Sequence, residues 1–367
     1  MKVLLLGPYP PPHGGVEISL AALQDFLLRR GISCEVVNLT RHRKSGDQGV
    51  YYPAGALDVV RLLLQRKAEI IHLHIGGDVS WRLLGLGFVC SLLSSRKLVL
   101  TLHSGGYPSS PAGKAAHPFS LRGFLFRRFD GIIGVNRELV DMFIKFGVST
   151  SRIRLVLPFA LPAGVPDVAL PQATLKFLEA HNPVLLSVSG LEPEYDLSVQ
   201  IEALGYLREI HPHAGLLIIG TGRCESEIRH KIQTKPYGDH ILLPGDVSHD
   251  VVLRVMSLSD ILLRTTLYDG DSIAVREALH FGLPVVATDN GMRPDGVTLI
   301  PFSDRDALRR AVRRCLETPH VRQTSPGADT RNLQAVVDLY QELLSPTVGR
   351  EYPAEPDPQN VQSSKYI

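Results

Sequence analysis

At 367 residues and 44% hydrophobic, the chain is longer than a single core keeps growing, so two domains of about 150 residues each are expected. Net charge is +2, but residues 1–157 hold 20 Lys/Arg against 10 Asp/Glu and the remainder 19 against 27, which points to an anionic surface or acceptor for the first half. Cys34, Cys90, Cys224 and Cys315 are scattered, with no CxxC and no histidine at ligand spacing, which argues against a zinc site or a disulfide framework and for buried free thiols in a reducing cytoplasm.

In chain order, residues 2–6 read as a buried strand, too short for a signal peptide and lacking a cleavage site, so a cytoplasmic protein is expected. The loop GPYPPPHGG follows, with Gly14 and Gly15 able to let a ligand approach the backbone closely. A helix over 16–30, a strand over 34–39, helix around 57–64 and a strand over 70–74 give the alternation of a doubly wound parallel sheet. His72 and His74 share one side of that last strand, and with no third ligand nearby they read as structural or ligand-lining. A strand over 97–102 ends in His103-Ser104-Gly105-Gly106. Residues 118–129 mix phenylalanines with arginines as a helix on an anionic bilayer would, a core helix being the competing reading. Strands over 132–135 and 154–157 close the first domain. No apolar run reaches the 18 residues of a membrane span, and 83–93 comes nearest.

Pro158, Pro162, Pro166 and Pro171 mark a linker over 158–182. The second domain, 183–327, opens with a strand over 183–189, then Gly190 to Tyr195. Strands over 215–220 and 241–244 exit through Gly220-Thr221-Gly222 and Gly245-Asp246. A lone Gly-x-Gly is too short for a dinucleotide fingerprint, so a nicotinamide enzyme is disfavoured. Helix is expected over 304–317 and again within 328–344, and residues 345–367 read as a disordered tail.

The most informative stretch is 258–291, read as buried strand, turn, helix and buried strand. In the turn, Gly270 permits a positive φ, and Asp271 or Ser272 can cap the helix. A strand-to-helix turn at the carboxyl edge of an α/β sheet presents free N–H groups and a positive helix end, which suit a diphosphate. Asp269 and Glu277 flank that position, eight residues apart.

An acid, seven residues, then Glu277-Ala278, closing in Gly-x-Pro-Val-Val-Ala-Thr, resembles the family 4 glycosyltransferases. The resemblance implies an α/β protein of GT-B fold, two Rossmann-like doubly wound domains facing a cleft, with a last helix (328–344) crossing back to the first domain. It further implies a retaining, metal-independent transfer of a hexose from a UDP- or GDP-linked sugar, with no cofactor. The acceptor would be a glycan, a lipid-linked saccharide or a small molecule on the first domain, in polysaccharide biosynthesis. The basic first half and residues 118–129 themselves point to peripheral contact with the anionic inner face of a membrane, and no nucleic-acid partner is expected.

By the same resemblance Asp269 takes the donor hydroxyls, Glu277 the ribose, and His103 the sugar. The N–H groups of Asp271, Ser272 and Ile273 take the diphosphate, while Gly14 and Gly15 leave room at the centre. The family has Glu where this chain has Asp269, and an Arg/Lys pair where it has Gly190 and Tyr195. Since those cations stabilise the leaving diphosphate, Arg264, Arg276 and Arg293 are the substitutes, Arg264 best placed at the strand end. The missing pair also supports an alternative, a non-catalytic GT-B module binding sugar nucleotides or a partner glycosyltransferase. An epimerase or phosphorylase on the same fold is a third reading.

Overall fold

The computed structural model describes residues 1–40, 49–93, 95–323 and 327–345. The tail expectation therefore falls, from residue 346 on, outside the described residues. Among them, the first sheet contains β1 (Lys2–Gly7), β2 (Ser33–Asn38), β3 (Val50–Tyr51), β4 (Ile70–Ile75), β5 (Lys97–Leu102), β6 (Gly131–Gly134) and β7 (Ile153–Leu155). The second contains β8 (Val184–Val188), β9 (Gly215–Ile219), β10 (Ile241–Gly245), β11 (Ile261–Arg264), β12 (Val285–Thr288) and β13 (Val297–Ile300).

The strand orders are β3-β2-β1-β4-β5-β6-β7 and β10-β9-β8-β11-β12-β13, parallel throughout. Both sheets are covered by helices on two faces, so their central strands are continuous apolar runs rather than alternating ones. β4 and β9 are buried at every residue. Each sheet accordingly carries two hydrophobic clusters, one per face. The two domains are doubly wound and face a cleft, the GT-B architecture, and each has its switch point beside its first strand, where chain direction diverges.

The helix Arg331–Leu344 lies on the first domain. Leu333, Val336, Val337 and Tyr340 are buried among Val3, Leu5, Leu20 and Val99, and Glu342 accepts two hydrogen bonds from Arg154. Cys34, Cys90 and Cys315 are buried free thiols and Cys224 is half-buried. The basic, aromatic stretch 118–129 holds only one short helix, Leu121–Phe126, capped by Ser120. It is split between the two expected roles: Leu125 and Phe126 enter the core, while Phe119, Leu121 and Phe124 stay exposed. Among the described residues no helix is long and apolar enough to cross a membrane.

Candidate functional site

The carboxyl ends of the strands meet across a cleft of about 240 Å³, lined from the first domain by His13, Gly14, Gly15 and Ile18. From the second come Val188, Gly190, Tyr195, Asp246, His249, Arg264, Ser272, Ile273 and Glu277. Each of these second-domain residues follows or ends a strand or opens the helix after it, except Glu277, which lies one turn into its helix, and this is why they converge.

The helix Ile273–His280 starts at this cleft. Neither expected side chain caps it. Asp271 instead accepts from Arg276 Nε at 3.0 Å, and the Ser272 hydroxyl has no hydrogen-bond partner among the described residues although the residue is 6% exposed. The N–H groups of Asp271, Ser272 and Ile273 likewise meet no protein acceptor among the described residues. Leaving a buried hydroxyl unpaired costs about 1–3 kcal/mol, and the helix start adds partial positive charge, so the place suits an anion from outside the chain.

Gly270 is not needed for a positive φ, as the turn had suggested, because it is absent from the residues that adopt one. The reason is close approach: a Cβ there would sit 2.5 Å from the His103 carbonyl oxygen, and one on Gly105 would sit 2.0 Å from that of Asp269. The two domains touch backbone to backbone at this turn, and Asn136 Nδ2 donates across the junction to the Gly270 carbonyl at 3.0 Å.

Asp269 is not free. Arg264 donates to both of its oxygens, at 2.7 and 3.0 Å, and Arg293 donates to Oδ2 at 2.6 Å. The three side chains of Arg264, Asp269 and Arg293 are 10%, 11% and 3% exposed. Burial alone would raise the Asp269 carboxyl, but the two guanidinium groups outweigh it and hold it below the usual range. Two cations on one anion leave the cluster with a net positive charge at the cleft floor, carried there by Arg264, which lines the cleft. Arg264 is held by Val188 O at 2.7 Å and stacks on the Tyr195 ring, 4.9 Å to its centroid. That ring lies against Gly190, where an added Cβ would come within 3.1 Å. The two positions without the family's cations are therefore packed together beneath an arginine from β11. Of the other substitutes, Arg276 is paired with Asp271 and Arg293 is buried behind Asp269.

Glu277 is 2% exposed, on the cleft wall, and its Oε1 accepts from His249 Nε2 at 2.6 Å. Gly14 precedes the helix Gly15–Arg29, and a Cβ on Gly15 would only just touch the Ile273 side chain, at 3.9 Å, so this pair faces the start of the second-domain helix. Beside it, His13 binds Asp246 through both its backbone N–H and its ring, each at 3.0 Å. His249 and His13 are not among the expected site residues, and Asp246 is expected only as part of a strand exit, which the family resemblance places at the nucleobase. Asp246 and His249 did follow a Gly-ended strand, the one local signal available.

His103 is brought elsewhere. Its ring does not line the cleft but a small cavity of about 20 Å³ with His74, Thr101 and Asn332. It shares a hydrogen bond with His74 Nδ1 at 3.1 Å, and His72 bonds Tyr340 at 2.5 Å and Thr101 at 2.7 Å. Burial pushes His72 down to about 3 and His103 down to about 4, so the stack is neutral. Among the described residues no three His, Cys, Asp or Glu gather as a metal site.

Two family descriptions match the chain: "Glycosyltransferase Family 4" over residues 13–159 and "Glycosyl transferases group 1" over residues 176–326. Similar curated proteins include an alpha-D-kanosaminyltransferase of Streptomyces kanamyceticus, 24% identical over 38% of each chain. A second is a GDP-mannose-dependent monoacylated alpha-(1-6)-phosphatidylinositol monomannoside mannosyltransferase of Corynebacterium glutamicum, 27% identical over 46% of this chain and 47% of that protein. These two matches thus span less than half of either relative. A third, from Arabidopsis thaliana, belongs to a phosphatidylinositol N-acetylglucosaminyltransferase and is 22% identical over 86% of this chain and 74% of its own. Among solved structures, Anabaena HepE in complex with UDP and glucose superposes with a TM-score of 0.63 at 18% identity, covering 94% of this chain and 98% of that one. The sucrose-phosphate synthase of Thermosynechococcus elongatus gives 0.62 at 17%, over 94% and 96%.

Proposed function

Because the chain belongs to the group 1, family 4 glycosyltransferases, we propose that it moves a hexose from a nucleotide-diphosphate sugar to an acceptor held by the first domain, with retention at the anomeric carbon. The observation that carries this is the start of the helix Ile273–His280: a buried Ser272 hydroxyl and helix-start N–H groups, unpartnered among the described residues, lie at one cleft with the Arg264 guanidinium. A diphosphate supplies the oxygens those donors lack. Glu277 binds the ribose, the N–H groups of Asp271, Ser272 and Ile273 the diphosphate, and Arg264 the charge that grows on it as the bond to the sugar breaks. The leaving phosphate helps take the acceptor's proton in place of a dedicated base. Gly14 and Gly15 leave space where donor and acceptor meet.

Only side chains that line the cleft contact the donor. Asp269 then acts through Arg264, as its anchor, and His103 as a packed wall behind the domain junction. The donor is UDP- or GDP-linked, a choice supported from both sides by HepE with UDP and by the GDP-mannose-dependent relative.

For the acceptor we favour a glycan or lipid-linked saccharide, met at the cytoplasmic face of a membrane. Support comes from Trp81, Phe119, Leu121 and Phe124, exposed on the basic first domain, with Arg122 over Trp81 at 4.4 Å and Arg128 over Phe124 at 5.0 Å. Flotation with phosphatidylglycerol vesicles checks it, and equal recovery with neutral vesicles counts against it.

A non-catalytic sugar-nucleotide module is the second reading, favoured by Gly190 and Tyr195 and by the tying of Asp269 to two arginines. The deciding experiment is a thermal-shift screen of UDP, GDP and ADP sugars, followed by turnover of the binder. A ligand at a hundred times its dissociation constant stabilises by about 2.7 kcal/mol. Stabilisation with release of the nucleoside diphosphate supports transfer, stabilisation without any release supports the module, and no stabilisation by any donor removes both.

A further inference from the structure

Glu277 is a carboxylate buried to 2% exposure on the wall of a cleft, where a polar group needs a partner to hold it. The one hydrogen bond it makes among the described residues comes from His249, 28 positions earlier, at 2.6 Å. His249 opens the helix His249–Leu258, so its ring projects from the carboxyl edge of the sheet toward the next helix over. The imidazole holds Oε1 and leaves Oε2 without a partner among the described residues.

We propose that His249 is a positioning residue of the ribose subsite, fixing the Glu277 carboxylate so that its second oxygen meets the ribose diol of the donor. This deepens the function given above and rests on its assignment of Glu277 to the ribose. Two properties of the pair support it. A carboxylate accepts from both hydroxyls of a diol only while ionised and held in one rotamer, and a short bond from a cationic donor secures both conditions. The imidazole is also biased toward that state: burial lowers it, but the charge and hydrogen bond of Glu277, with Asp250 adding, leave His249 raised above its ordinary value. The groups that titrate around it are Glu277 from the facing helix, Asp250 on its own helix, and His13 and Asp246 on the walls of the same cleft.

The test uses the full chain and calorimetric titration with UDP and GDP, each against its 2′,3′-dideoxy counterpart. The wild type is expected to favour the ribose form of the nucleotide it takes by about tenfold or more. His249→Ala should collapse that preference to about twofold or less, while His249→Gln, whose amide N–H reaches a similar point, should restore most of it. As pH rises and the imidazole loses its proton, the bond to Glu277 loses its charge assistance, so ribose preference should fall in the wild type toward that of His249→Gln and stay level in His249→Gln, which also separates His249 from His13. A wild type that discriminates while His249→Ala discriminates equally, with no pH trend, overturns the role of His249 alone. A wild type that binds neither nucleotide, or treats ribose and dideoxyribose alike, overturns the ribose assignment beneath it. Should His249→Ala fail to fold, the pH trend of the wild type against His249→Gln decides by itself.

Discussion

The two domains share one strand order over six strands, the first adding a seventh at its edge, yet they treat polar groups at their strand ends in opposite ways. In the first, β4 carries His72 and His74, stacked with His103 and bonded to Tyr340, and burial keeps His72 and His103 uncharged. In the second, the end of β11 carries Arg264, which together with Arg293 keeps Asp269 ionised. The cation that reaches the cleft from this cluster thus belongs to the half of the chain with 19 Lys/Arg against 27 Asp/Glu. Bulk charge and site charge are separate properties: the first sums a solvated surface, while the second depends on which side chains a strand end presents. A neutral stack packs a helix, while a charged triad leaves a guanidinium on the cleft wall.

The contrast breaks most sharply at Arg264. Arg264→Met removes charge-assisted hydrogen bonds to Asp269 while Arg293 still pairs it, and should destabilise the chain by about 1.5–3 kcal/mol, measured by urea unfolding, together with loss of nucleotide binding. A loss below about 1 kcal/mol would show that the triad is not the charged unit described. Next comes the junction that brings the two halves together. Gly105→Ala puts a methyl against the Asp269 carbonyl and should cost about 1–3 kcal/mol, with a larger radius of gyration by small-angle scattering. Gly106→Ala, whose Cβ would lie 3.7 Å from the Tyr268 ring, is the control and should leave the radius unchanged.

Acidification separates the halves by pH. His72 and His103 bind a proton unfolded but not folded, so between about 6.5 and 4 the unfolded state gains protons and stability falls as pH drops, by up to about 1.4 kcal/mol per unit for each histidine. Asp269 runs at lower pH: its folded value is depressed, so its stabilisation holds above the unfolded value near 3.8 and is lost as pH falls below it. His72→Gln should therefore reduce the slope of the stability profile between pH 6.5 and 4, leaving the part due to His103, checked by denaturant midpoints. A wild-type profile already flat there removes the neutral stack from the account. The smallest effect belongs to the bond across the cleft. Asp246→Ala removes both hydrogen bonds to His13 and should shift closure by about 0.5–1.5 kcal/mol for each bond lost, read as faster nucleotide release with little change in overall stability. Unaltered release would leave the pair a surface contact.

How far the chain could be read in advance follows the range of each interaction. The stretch 258–291 was legible because strand, turn and helix are neighbours in sequence, and Arg264, Ser272, Ile273 and Glu277 do line one cleft with Gly14 and Gly15. Turn chemistry alone explains Gly270 by its φ, whereas what excludes a side chain is the His103 carbonyl in the other domain. Asp269 was read as an open acid because Arg293 approaches from beyond β12, and His103 as a cleft residue because its partner His74 lies a strand away. His13 and Asp246 meet over 233 residues, with no pattern to join them.

Alternating apolar runs with glycine and proline stops were enough to determine two parallel, doubly wound halves and the turn where an anion would dock, because hydrophobic periodicity and turn chemistry act over a few residues. Which acid stays open and which arginine reaches the cleft was decided only when strand ends from distant parts of the chain came together, since ion pairs form between whatever groups the packed loops bring within about 3 Å.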